Sequence, residues 1–136
     1  YNPSYISLHS ALSFYGLIPE AVVQITSVTT LKTIFFANDL GEYSYKSVKE
    51  NMMFGYELKP MSDDRTLKIA TPEKALVDLL YLYPFYDNDR ELEELRLDEE
   101  FLQQDFGVER MRQYASEIGS KALDKRIIRM CNVYGI

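Results

Sequence analysis

Three residues come nearest to a reaction centre: Asp39, and the pair Glu57 and Lys59 that closes an alternating stretch. Two carboxylates and a lysine in acid, acid-x-lysine order can hold a divalent cation and stabilise an attacking hydroxide, the chemistry of a metal-dependent nuclease. The competing reading is simpler. An extended segment puts residues two apart on one face, so Glu-x-Lys arises wherever such a face meets water. Elsewhere catalytic signatures are thin. His9 is the sole histidine, has no nucleophile beside it, and reads as a surface or helix-packing residue. Cys131, next to Met130, reads as a small buried hydrophobe. One cysteine and one histidine do not make a zinc site. The six glycines are scattered and form no phosphate-cradling loop. Asp87-Asn88-Asp89 lacks the glycine and terminal glutamate of a calcium loop. No residue is assigned to catalysis, to a cofactor or to a metal.

Two charged groups are candidates for interaction instead. Glu73, Lys74 and Asp78 are the polar residues of the otherwise apolar run 71–83. Lys74 lies one turn before Asp78 and can pair with it, which makes a structural ion pair one reading. The other is a polar stripe left open for a partner. Lys121, Lys125 and Arg129 recur at every fourth position opposite an apolar seam. They form either a solvated face, neutralised by acidic residues folding over it, or a small patch for nucleic acid or an acidic partner.

These residues need elements to position them, and 71–83 is the plainest one. Thr71 is an N-cap, Pro72 occupies a first-turn position where its missing N–H costs nothing, and Glu73 complements the helix dipole. The body that follows is apolar on most sides, which predicts a helix enclosed by other elements. Residues 7–15 read as a shorter helix with Ser7 as N-cap and Gly16 as its stop, and Leu17 can pack back against it. Segments 22–28, 33–37, 43–46, 53–59 and 66–69 carry the β-branched, aromatic or alternating pattern of strands, with turns at Asn38–Gly41 and Pro60–Asp64. Short strands joined by tight turns predict antiparallel pairing. Residues 84–106 form an acidic, partly helical connector, and 107–136 two amphipathic helices broken at Gly119-Ser120, an αα-hairpin.

The bulk numbers bound the rest. A chain of 136 residues suits one core. The net charge of −6 is concentrated in the middle, and a pI near 4.8 disfavours a phosphate backbone as partner and suits a cationic one. No apolar run approaches the roughly 18 residues of a membrane span, and a single cysteine points to the reducing cytoplasm. The first residue is Tyr1 rather than methionine, which predicts a piece of a longer protein.

Two segments together resemble a known family. Tyr5-Ile6-Ser7-Leu8-His9-Ser10-Ala11-Leu12 with Tyr15-Gly16-Leu17-Ile18-Pro19-Glu20 is similar to the opening of the second domain of AbiEi-family antitoxins. The run Ile69-Ala70-Thr71-Pro72-Glu73-Lys74-Ala75-Leu76-Val77-Asp78-Leu79-Leu80 resembles that family's most recognisable stretch. Thr29-Thr30, Gly41-Glu42-Tyr43-Ser44-Tyr45 and Gly55-Tyr56 fall between them where the pattern puts them, so the likeness spans roughly residues 3–83. It implies a transcriptional autoregulator of a bacterial phage-defence locus. Its C-terminal domain counters a nucleotidyltransferase-like toxin in a type IV system, where direct toxin binding is not required. The family binds DNA through an N-terminal winged helix-turn-helix, which these residues do not include.

The expectation is therefore an α+β domain, with an antiparallel sheet of about five short strands on a buried central helix and a C-terminal helical hairpin. Its expected role is a non-enzymatic antitoxin domain without cofactor. A small metal-dependent nuclease, or a dimerisation module built on exposed tyrosines and the hairpin, are the alternatives.

Overall fold

A three-residue strand, β1 (Ser4–Ile6), opens the structure, a computed structural model that describes residues 1–136. The chain then reverses at Leu8, whose φ of 60° lies in the left-handed region, and enters α1 (Leu8–Phe14). A leucine there is strained, and it is held by a side chain wholly enclosed in the core. Gly16, φ 77°, ends α1 as expected, and the Leu17 amide closes back onto the Leu12 carbonyl at 2.9 Å.

Next come β2 (Gln24–Thr29), β3 (Ile34–Asn38) and β4 (Gly41–Ser47), then a 3-10 turn at Glu50–Met52, β5 (Tyr56–Pro60) and β6 (Thr66–Ala70). They form one six-stranded sheet in the order β3-β4-β2-β1-β6-β5. The fold is α+β, but the sheet is mixed rather than antiparallel: β1 lies parallel to β6, and β2 parallel to β4. Tight turns argued for antiparallel neighbours, and the β3–β4 and β5–β6 hairpins obey. Between β2 and β4 the crossover is made by β3 itself, which runs out to the sheet edge so that β4 can slot in behind it. The extra strand, β1, is too short to show alternation.

The central helix α2 (Pro72–Leu82) is enclosed, with every residue from Glu73 to Leu80 buried. Thr71 caps it, its Oγ1 accepting from the Lys74 amide at 3.2 Å. The acidic connector folds into α3 (Asp89–Glu94) and α4 (Glu99–Gln104), capped by Asn88 and Asp98. Its acids face water while Leu92, Leu95, Leu97, Leu102 and Phe106 reach the core. The hairpin of α5 (Val108–Ile118) and α6 (Lys121–Tyr134) packs on α2 through Met111, Ala115, Leu123, Ile127 and Met130. No helix is long and apolar enough to cross a membrane.

The helices thus gather over one part of the sheet. At the β3–β4 end every residue from 31 to 40 remains exposed.

Candidate functional site

Lys74 and Asp78 leave α2 one turn apart, and both are 0% exposed. The Lys74 ammonium donates to Asp78 Oδ1 at 2.6 Å, to the Tyr5 hydroxyl at 2.8 Å and to the Met52 carbonyl at 2.8 Å. That uses all three of its protons. On the other side of the pair, Asp78 Oδ2 accepts from Tyr5 at 2.8 Å and from Ser7 at 2.7 Å. The Phe54 ring centroid lies 4.6 Å from Lys74 Nζ, and Tyr56 stacks on Tyr5 at 5.0 Å. A charge taken out of water survives only when paired and bonded, and here both conditions hold.

Burial pushes the Asp78 carboxyl above the ordinary range, while Lys74, Ser7 and Tyr5 draw it back. Three donors on two oxygens is the bonding of an ionised carboxylate. The Tyr5 phenol is driven far above its usual value, first by burial and then by the Asp78 charge beside it. Tyr5 is accordingly a permanent donor.

Local sequence explains how the partners arrive. Lys74 and Asp78 share a face because four residues make about one helical turn. Ser7 was expected to cap α1, yet it makes no cap hydrogen bond and gives its hydroxyl to Asp78. The turn at Leu8 supports that choice. Gly55 makes room for the lysine stem: its φ is +76°, and a Cβ there would lie 2.7 Å from Lys74 Cγ. Only glycine satisfies both the dihedral and the contact.

The ends of α2 are held by the hairpin. Glu73 is buried, and its Oε2 accepts from the Gly107 amide at 3.0 Å, at the start of α5. Its Oε1 has no hydrogen-bond partner, and the Arg110 guanidinium stands 3.6 Å away. At the other end Arg126 donates to the Leu80 carbonyl at 3.0 Å, in the last turn of α2. Glu73, Lys74 and Asp78 therefore present no open polar stripe: all three side chains face inward.

Lys121, Lys125 and Arg129 are exposed along α6. Arg129 pairs with Asp89 of the acidic segment at 3.2 Å, the neutralisation anticipated for this face. An open groove of about 680 Å³ runs here, with Asp87 and Asp89 on one wall and Lys125, Arg126 and Arg129 on the other. Its lining mixes both signs.

The remaining candidates do not assemble. Asp39 sits in the β3–β4 turn and Glu57 on β5, and these two strands are the opposite outer edges of the sheet. Lys59 pairs with Glu57 at 3.3 Å, the expected consequence of alternation on one face. No cluster of three His, Cys, Asp or Glu side chains is placed to hold a metal ion. His9 Nε2 lies 3.4 Å from the Tyr86 hydroxyl, and burial lowers its pKa below the usual imidazole value. Burial pushes the Cys131 thiol up, with Arg112 opposing.

Sequence reasoning missed Tyr5, Ser7, Gly55, Arg110 and Arg126 as partners of α2. Only Gly55 carried a local signal, as an isolated glycine inside the expected strand 53–59, which the structure starts only at Tyr56. A scan against protein-family models and searches of curated proteins and of solved structures each found no match for this chain.

Proposed function

We propose that this chain is the antitoxin domain of an AbiEi-like transcriptional autoregulator, acting in the cytoplasm without enzymatic chemistry against a nucleotidyltransferase-like toxin. DNA binding in such a protein belongs to a separate winged helix-turn-helix. The reading rests on the two resembling segments, 5–20 and 69–80. One observation supports it above the others. These segments, far apart in sequence, meet through their own characteristic residues, Tyr5 and Ser7 of the first bonding Lys74 and Asp78 of the second.

Tyr5, Ser7, Glu73, Lys74 and Asp78 are then scaffold, and any toxin-directed surface is built from other residues of the domain. Co-expression with the nucleotidyltransferase-like toxin of the same locus is expected to restore growth. Persistent toxicity with a well-folded, full-length protein would remove the reading.

A further inference from the structure

We infer that two copies of this chain pair through the free edge of β3, continuing one sheet into the next about a twofold axis. Natural edge strands are guarded by charge, proline, bulges or a covering element. β3 has none of these: Ile34-Phe35-Phe36-Ala37-Asn38 carries no charge and no proline, and all five residues are exposed. Its outer side also offers hydrogen bonds. Asn38 and Gly41 close the two-residue Asp39-Leu40 turn as a bonded pair, so alternation along the ladder turns the Phe35 and Ala37 amides and carbonyls away from β4.

The occupant is a second copy because the edge complements itself. Centring the axis on Phe36 sets Phe36 against its own counterpart and bonds Phe35 to Ala37 in both directions. In that register Lys32 of each copy falls opposite Leu40 of the other and Asp39 opposite Thr33, so neither charge flanking the strand is set against its own kind. No like charges face each other across the seam, even though each chain carries a net −6.

The area also allows it. Leu31, Ile34, Phe35, Phe36 and Leu40 leave between 37% and 86% of their surfaces open. With large side chains of about 200 Å², that is roughly 500 Å² of apolar surface per copy. A standard interface buries about 800 Å² per partner, of which about 65% is apolar in homodimers; these side chains flank the edge on both faces of the sheet, so their open area is the most that the pairing can bury and is of comparable size. The Phe36 ring stacks on Tyr43 and Tyr45, so the hairpin presents a stiff surface and not a loose loop.

This pairing is independent of the toxin reading and is tested by mass in solution. Light scattering and sedimentation across concentration are expected to show a monomer–dimer equilibrium. Ala37→Pro, which removes an outward donor and keeps the β3–β4 ladder, should weaken it by about tenfold or more. Phe35→Lys places like charges in the seam and should do the same, with circular dichroism checking the fold of each variant. Phe36→Cys in a Cys131→Ser background should give an oxidised covalent dimer, since the two copies' residues lie about 4.5 Å apart between Cα atoms in a non-bonded pair. A monomer at every concentration would overturn the proposal. So would a dimer that both substitutions leave intact, or one that Phe36→Cys fails to trap.

Discussion

Two acid–base pairs in this molecule use nearly the same chemistry to opposite ends. Lys74–Asp78 is dry, made of groups 0% exposed and saturated by Tyr5, Ser7 and the Met52 carbonyl. Arg129–Asp89, at 3.2 Å, spans the open groove with both side chains more than half exposed. The difference lies in the surroundings rather than in the charges. Water screens and solvates the second pair whether or not it forms, so little depends on it. Nothing replaces either member of the first, so each charge makes the other obligatory.

Removing one buried partner should therefore give the largest effect. Asp78→Ala leaves the Lys74 ammonium alone in the core and is expected to cost about 3–5 kcal/mol in urea unfolding. Adding Lys74→Met to it should recover part of that loss, because no lone charge remains. Failure to recover any would mean that lost packing, not charge, dominates. Gly55→Ala strikes the same network through shape: with φ +76° and a Cβ 2.7 Å from Lys74 Cγ, it should cost about 1–3 kcal/mol. A neutral result would show that the lysine stem shifts freely.

A titration sharpens the contrast at intermediate size. Tyr15 and Tyr86 have phenol pKa values pushed up to about 12, mainly by burial, against about 10 in an unfolded chain. The folded state holds those protons more tightly. Their contribution is therefore complete below pH 10 and drains away as pH rises from 10 towards 12. Unfolding midpoints should fall across that window together with tyrosinate absorbance, and a midpoint flat through pH 12 would contradict it. Arg129→Ala stands at the small end, with an expected change below about 0.5 kcal/mol. A loss above about 1 kcal/mol would place that pair in the same class as the interior one.

What could be read from sequence follows the range of each interaction. The start of α2 was legible because capping is local: Thr71, Pro72 and Glu73 lie within one turn and each speaks for itself. The hairpin of α5 and α6 was legible for the same reason, through the apolar spacing of Met111 and Ala115 and of Leu123, Ile127 and Met130. Ser7 misled because its hydroxyl had a local partner available and took a distant carboxylate instead. Lys74 and Asp78 could be paired by spacing, but their saturation depended on Tyr5 and Met52, which no periodicity brings near. The two parallel pairings were hidden too, since an ordering such as β2-β1-β6 is decided by the whole chain and not by any turn. Glu73 and Arg126 appeared as ordinary helix charges until the hairpin closed over both ends of α2.

The threading of β4 between β2 and β3 carries a kinetic implication. β2 is synthesised first, yet its neighbour in the finished sheet must enter a slot that β3 would otherwise occupy. The economical route is for residues 34–47 to zip up as an autonomous ribbon, on the order of microseconds, and only then to dock broadside. On that route lesions in the Asn38–Gly41 bend should slow refolding by nearly the whole factor by which they lower equilibrium stability, leaving the unfolding rate almost unchanged.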